Sequence, residues 1–278
     1  MDDLGFLIPE DDAVLSAAIG NFASLITHMH RGVPAARLIA LDDVMIADSS
    51  VADDTFNVIA LTRFAPDAID RRVAETIETA RATGRPFTWW IDPFAPAGLA
   101  QRLEAAGLKE TGRMPIMRAD LRAEVEFGPV LGELEIRRVT TEEEFAVFAR
   151  VVAAIWQPPA PTVVEFFGKA AKRILGLGDG TLGDSAEVPS RVFVGYLDGV
   201  PICTAQAELV NGVAGLYNIV TAAGHRMRGF GRAMTVAAMR AARDEGYRTV
   251  VLEASPMGEP VYRRLGFVTC GQIVEFAV

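Results

Sequence analysis

Two hydrophobic periods alternate along this chain. Apolar residues three and four apart mark helices in "EDDAVLSAAIGNFASLITHMHRG", closed by Gly32, and in "PDAIDRRVAETIETARATG", opened by Pro66-Asp67 and closed by Gly84. The same spacing recurs in "TEEEFAVFARVVAAIW", with Thr140 or Thr141 as its cap, in "PTVVEFFGKAAKRIL" and in "TVAAMRAARDEGY". Shorter helices are predicted in "APAGLAQRLEAAGL" and "GEPVYRRLGF". Alternating or continuous apolar runs predict strands in "ARLIALDD", "FNVIALTRF", "PFTWWID", "GRMPIMRADL", "ELEIRRVT", "GVAGLYNIVT" and "YRTVVLEAS", with a last strand ending at Val278. "RVFVGYLDGVPICTAQAEL" reads as a hairpin turning at Asp198-Gly199. Strands interleaved with helices in this way predict an α/β fold.

Two stretches have no period. "RAEVEFGPVLGE" mixes charge, glycine and proline and reads as a linker, dividing the chain into residues 1–127 and 128–278. "GLGDGTLGDSAEVPS" is a long polar loop of the kind that often carries function. The two parts also resemble one another. "NVIALTRFAPDAIDRRV" parallels "NIVTAAGHRMRGFGRAM", aligning Asn57 with Asn218, and Gly107 and Gly112 fall opposite Gly266 and Gly271. The copies differ chemically: Ala68 and Asp70 stand where the second copy has Gly229 and Gly231, and Leu103 stands where it has Tyr262.

Composition narrows the classes. The formal charge is −9, from 27 Lys and Arg against 36 Asp and Glu, which argues against a nucleic-acid-binding protein. Residues 1–127 carry −8 of it (12 basic, 20 acidic residues). Two cysteines, Cys203 and Cys270, read as free thiols in a reducing compartment, and the acidic start "MDDLGFLIPEDD" reads as neither a signal nor a transit peptide. No apolar run reaches membrane-spanning length, so the expectation is a cytoplasmic protein with no membrane partner. His28 and His30 lie two apart on a helix end and do not face each other, so no metal site is expected. Trp89 and Trp90 fall on opposite faces of a strand, one toward core and one toward an interface between the halves.

The chemistry concentrates in "RMRGFGRAM", residues 226–234, between a strand and a helix. A helix N-terminus presents unpaired N–H groups and a positive dipole end, which together hold phosphate. Glycines at 229 and 231 remove Cβ atoms from that approach, and Arg226, Arg228 and Arg232 add charge. The spacing is neither that of a P-loop nor that of the dinucleotide G-x-G-x-x-G loop, whose third glycine is replaced by Met234.

This R-x-x-G-x-G stretch, at Arg226, Gly229 and Gly231, resembles the signature of the GNAT superfamily of acyl-CoA-dependent N-acyltransferases. A second landmark of that family, a tyrosine four residues before Gly-Phe, matches Tyr262, Gly266 and Phe267 in "YRRLGF". The resemblance spans about residues 135–278 and is topological over residues 1–127. It implies two tandem GNAT-like domains, each a mixed central sheet flanked by helices, with a degenerate first copy lacking a cofactor site and a catalytic second copy.

The resemblance also implies roles by position. Acetyl-CoA, or another acyl-CoA, is the co-substrate. Backbone groups of Ile219, Val220 and Thr221 pair with its pantetheine arm, and the Val220 N–H polarises the thioester carbonyl. Backbone N–H groups from Arg226 through Met227, Arg228, Gly229, Phe230 and Gly231 to Arg232 and Ala233 hold the pyrophosphate. Tyr262 protonates the departing thiolate; a core tyrosine is the other role that fits its place on a short helix. Ser255 either faces the cofactor or caps the following turn. The strand "GLYNIVT" lacks the carboxylate that many members carry there, which leaves Glu208 and Glu253 on the neighbouring strands, or a water relay, as the base. The implied reaction is direct attack by a small-molecule or peptide amine, with the acceptor set by the loop 175–190 and the cleft between the halves. A non-catalytic acyl-CoA-binding or regulatory protein is the alternative that the absent strand carboxylate leaves open.

Overall fold

The computed structural model describes residues 13–122, 132–177 and 189–278. The linker reading and most of the long loop therefore lie outside the described residues. Among these residues, no helix is long and apolar enough to cross a membrane.

The first half runs α1 (Ala13–Arg31), β1 (Arg37–Leu41), β2 (Val44–Asp48), β3 (Val58–Ala60), α2 (Ile69–Arg81), β4 (Thr88–Ile91), α3 (Leu99–Ala105) and β5 (Lys109–Asp120). The second runs β6 (Leu134–Arg138), α4 (Glu142–Ala153), α5 (Pro161–Leu175), β7 (Ser190–Leu197), β8 (Val200–Val210), β9 (Val213–Thr221), α6 (Phe230–Asp244), β10 (Thr249–Glu253), α7 (Glu259–Arg264) and β11 (Val268–Ala277). The local signals act as expected. Thr141 is the N-cap of α4 and closes a capping box with Glu144, and Pro161 opens α5 while Gly176 closes it in the left-handed conformation. Two readings change. β2 is an additional strand, buried along its whole length, and the strand read at 56–64 shortens to β3 because Leu61 takes a φ of 54°.

All eleven strands form one sheet, in the order β1-β2-β3-β4-β11-β5-β10-β9-β8-β7-β6. The halves exchange their last strands to build it. β5, from the first half, lies antiparallel between β10 and β11, and β11, from the second, lies antiparallel between β4 and β5. Each half thus completes the other's sheet. Within each half one pair of strands is parallel, β3 with β4 and β9 with β10.

Helices cover both faces. Residues of α6 and α7 pack on one face with Val250 and Leu252, and residues of α2 and α3 cover the same face of the first half. On the other face α4 and α5 cover the second half, and α1 bridges both halves. Asn21 fixes that bridge. Its amide donates to the carbonyls of Glu208 (2.9 Å), Val210 (3.1 Å) and Val213 (3.1 Å), and its carbonyl accepts from the Tyr217 hydroxyl (2.9 Å). A Cβ at Gly215 would lie 2.0 Å from Asn21 Oδ1, so a glycine on β9 is the condition for seating this helix.

Candidate active site

β9 and β10 separate after two residue pairs. Their parallel ladder joins Val250 to Ala214 and Val251 to Gly215, and among the described residues β9 then runs on to Thr221 without a partner on that side. Two features open the seam. β10 stays with β5 to its end, through Glu253 opposite Ile116 and the Ala254 N–H on the Pro115 carbonyl (2.9 Å). β9 carries a bulge in which Asn218 and Ile219 together oppose Ala205, with Asn218 at a φ of 50°, and an extra residue of this kind bends a strand. Side chains hold the bulge: Asn218 Nδ2 donates to Gln206 Oε1 (2.9 Å), and the Thr204 hydroxyl donates to the Asn218 carbonyl (2.8 Å). The backbone of Ile219, Val220 and Thr221 therefore lies along the open edge.

The glycine loop ends at the start of α6, whose first α-helical bond is Ala233 N–H to the Gly229 carbonyl (3.0 Å). The N–H groups of Phe230, Gly231 and Arg232 precede it and have no carbonyl inside the helix to reach. The two glycines have different reasons to be there. Gly229 is the N-cap at a φ of 87°, a left-handed conformation that side chains disfavour. Gly231 is helical, and a Cβ there would meet only Thr221 Oγ1, at 3.4 Å, an ordinary contact. Neither conformation nor packing within the described chain requires a glycine at 231. Around this end, Arg226 Nε donates to the Thr221 carbonyl (3.1 Å), the Arg228 guanidinium lies 4.9 Å from the centre of the Phe230 ring, and Met227 is fully exposed at a φ of 62°.

Titratable groups flank the seam on both faces. Tyr262 packs on the α6 face, its ring admitted by Gly258, where a Cβ would lie 2.7 Å from Cε2. Burial pushes its phenol up to about 12, so it stays protonated throughout the neutral range. Ser255 is exposed, and its Oγ accepts the Gly258 N–H (3.1 Å), capping the turn that carries Tyr262. On the α1 face, Glu253 is half-buried at the end of β10, and burial pushes its carboxyl up to about 7. Glu208 is fully enclosed. Its Oε2 accepts from Ser190 Oγ (2.5 Å), its Oε1 is buried with no hydrogen-bond partner among the described residues, and burial raises it to about 7 as well. Tyr217 lies near both carboxyls, and burial and then those two charges push its phenol well up.

In the first half β3 and β4 also pair over two residues, Val58 with Thr88 and Ile59 with Trp89, but different side chains surround the pair. Trp89 is fully buried and donates from Nε1 to Thr62 Oγ1 (3.0 Å) beside the β3–β4 pair. Asp70, in the first turn of α2, pairs with Arg102 (2.5 Å), and Leu103 is fully buried. Asn57 and Asn218 also play different parts: Asn57 precedes β3 and ties together the loops at Val51, Asp53 and Pro86.

The sequence model of the Acetyltransferase (GNAT) family matches residues 158–267, which contain the seam, the glycine loop and Tyr262. Residues 158–267 are thus similar to the GNAT acetyltransferase family. No curated protein sequence matches the chain. Solved structures share the fold over nearly its whole length. A GCN5-related N-acetyltransferase from Kribbella flavida is 18% identical, with a TM-score of 0.64 over 94% of this chain and 95% of that one. A tandem GNAT protein from the clavulanic acid biosynthesis pathway is 16% identical, with a TM-score of 0.58 over 94% of each chain. A functionally unknown conserved protein from Staphylococcus epidermidis is 13% identical, with a TM-score of 0.61 over 87% of this chain and 94% of that one. This GNAT-like chain thus has two tandem halves of related topology, fused through one sheet.

Sequence reading did not find Asn21, Phe22 or Tyr217 as parts of this region. Asn21 and Phe22 sit in an ordinary helical pattern, and their partners are more than 65 residues away in sequence. Tyr217 had a signal, since it is the polar-tipped residue of "GLYNIVT" nearest the bulge.

Proposed function

We propose that this chain is an N-acetyltransferase that moves an acetyl group from acetyl-CoA to an amine by direct attack in a ternary complex. The observation that carries the reading is the open β9 edge running into a helix N-terminus where nothing among the described residues requires a glycine at 231. Acetyl-CoA, when bound, supplies an activated acyl carbon and a thiolate leaving group. The backbone of Ile219 to Thr221 aligns the pantetheine arm, and the N–H groups from Met227 to Ala233, with Arg226, Arg228 and Arg232, hold the pyrophosphate. The Val220 N–H polarises the thioester carbonyl. Only the second half binds the cofactor.

Base and acid stand on opposite faces of the seam. Glu253 takes one proton of the incoming ammonium and passes it to solvent; as the C–N bond forms and the C–S bond breaks, Tyr262 gives its proton to the departing sulfur, and the second proton released by the nitrogen restores the Tyr262 phenol. Glu208 is fully enclosed, and burial favours its neutral form below about pH 7, so it does not act as the base. A folded-state carboxyl near 7 is ionised only above that pH. The value of kcat/KM is therefore expected to rise through about pH 7 and level off above it. Glu253→Gln is expected to remove that limb and cost about 10²–10⁴-fold in rate; a variant with the wild-type pH profile would exclude Glu253 as the base.

Tyr262→Phe keeps the ring and deletes the proton. Turnover is expected to fall by about 10²–10⁴-fold with acetyl-CoA affinity unchanged. A rate within a few-fold of wild type would make Tyr262 a core residue. Acetyl-CoA binding with no turnover across a broad amine panel would replace the enzymatic reading with a binding protein.

A further inference from the structure

The cleft on the α1 face belongs to both halves. A small cavity there is lined by Phe22 of α1, Leu61 after β3, Trp90 and Asp92 at the end of β4, Glu253 of β10 and Ile273 of β11, among others. Phe22 and Trp90 stack face to face (4.4 Å between centroids, 7° between planes), and Phe22 in turn meets Tyr217 at 6.4 Å. Both stacked rings are half-buried and line the cavity. The cleft is held rigidly, because the Asn21 side chain beside Phe22 uses both its amide and its carbonyl on the second half's strands.

We propose that this cleft is the acceptor site and that it selects a cationic amine carried on an apolar, preferably aromatic, body. The proposal rests on the acetyltransferase reading above and adds the substrate class. Glu253 is the carboxylate at the end of the cleft toward the seam, where the reacting nitrogen has to be presented. The Phe22–Trp90 pair, supplied by the first half, provides the wall for the rest of the molecule, and electron-rich ring faces favour both a cation and an apolar body. Asp92 adds no second free anion, since it is buried and paired with Arg63 (2.9 Å). The cleft therefore carries one carboxylate for one ammonium. The charge of −8 on residues 1–127 has the sign that attracts such a ligand. On this reading the first half reads the acceptor.

The test uses the full chain saturated with free CoA, which cannot turn over, and three probes: 2-phenylethylamine, ethylamine and 3-phenylpropionate. Calorimetry is expected to give binding of 2-phenylethylamine at least roughly tenfold tighter than ethylamine, with none for the carboxylate. Trp90→Leu and, separately, Phe22→Leu are expected to weaken the aromatic amine by roughly tenfold, while Trp90→Phe keeps most of the affinity. CoA affinity, unchanged in all three variants, reports that they are folded. Equal affinity for the two amines, or aromatic-amine binding indifferent to loss of both rings, would overturn the proposal. Failure of the wild-type chain to bind CoA would instead remove the acetyltransferase reading; the amine titration, repeated on the chain alone, is then judged by the same outcomes.

Discussion

Gly231→Glu is expected to abolish acetyl-CoA binding, by more than about 100-fold, while leaving the chain at least as stable as wild type. Both halves of that expectation come from one position. Residue 231 is in the first turn of α6, has ordinary helical backbone, and a Cβ there would meet only Thr221 Oγ1, at 3.4 Å. A glycine there costs the helix about 1 kcal/mol relative to alanine. A carboxylate in the first turn adds a favourable interaction with the helix dipole, about 0.3–1 kcal/mol. The folded chain should gain, yet the same carboxylate would face the pyrophosphate. Gly229 is the less informative target, since its φ of 87° means that a side chain strains the loop before any ligand arrives. The chain already contains a natural version of the change: Asp70 occupies the first turn of α2, paired with Arg102. Calorimetric titration with acetyl-CoA, alongside thermal unfolding, checks the result. Wild type should bind one equivalent per chain. Tight binding to a stable Gly231→Glu variant, or two equivalents on wild type, would move the phosphate site elsewhere.

The second large effect concerns the halves themselves. A chain of residues 128–278 alone is expected not to fold as a soluble monomer, although it contains the whole family signature. Removing the first half removes β5, which joins β10 to β11; those two strands have no ladder with each other among the described residues, so a one-strand gap opens inside the sheet. It also removes α1, exposing apolar surface around Val213, Val251 and Ile273. Two open strand edges flanked by apolar surface favour aggregation or exchange of strands between copies. Size-exclusion chromatography and thermal unfolding of the fragment decide the matter, with co-expression of residues 1–127 expected to rescue it. A monomeric fragment with cooperative unfolding would show that the second half is self-sufficient. The expectation is physical: the repeat is visible in the sequence as two units, but the sheet holds them as one.

Much was legible in the sequence. The helix signals at Thr141, Pro161 and Gly176, and the hairpin at Asp198-Gly199, are local: a cap, a preset φ or a permitted positive φ decides the conformation within a few residues, so composition and period determine them. The glycine loop was equally local, because a strand, a short turn and a helix start are adjacent in the chain. Its chemistry follows from unpaired N–H groups that any such helix start would present. The different settings of Gly229 and Gly231 were not legible, since one is a dihedral angle and the other a spatial neighbour, the Thr221 hydroxyl.

Tertiary structure alone decided the rest. Exchange of β5 and β11 between the halves leaves no trace in hydrophobic period, because a buried strand reads the same beside any neighbour. The shift of Glu208 and Glu253 to about 7 depends on burial by elements far away in sequence. The Phe22–Trp90–Tyr217 wall assembles residues from α1, β4 and β9 that share no motif. Asn21 is the clearest case. In the sequence it is a polar residue inside an apolar helix, a weak feature; in the fold, three carbonyls, a tyrosine hydroxyl and the absent Cβ of Gly215 make it the pin between the halves. The sequence alone determined the glycine loop at the start of a helix, because that requires only neighbouring backbone; the side chains gathered around Glu253 come together only through the shared sheet.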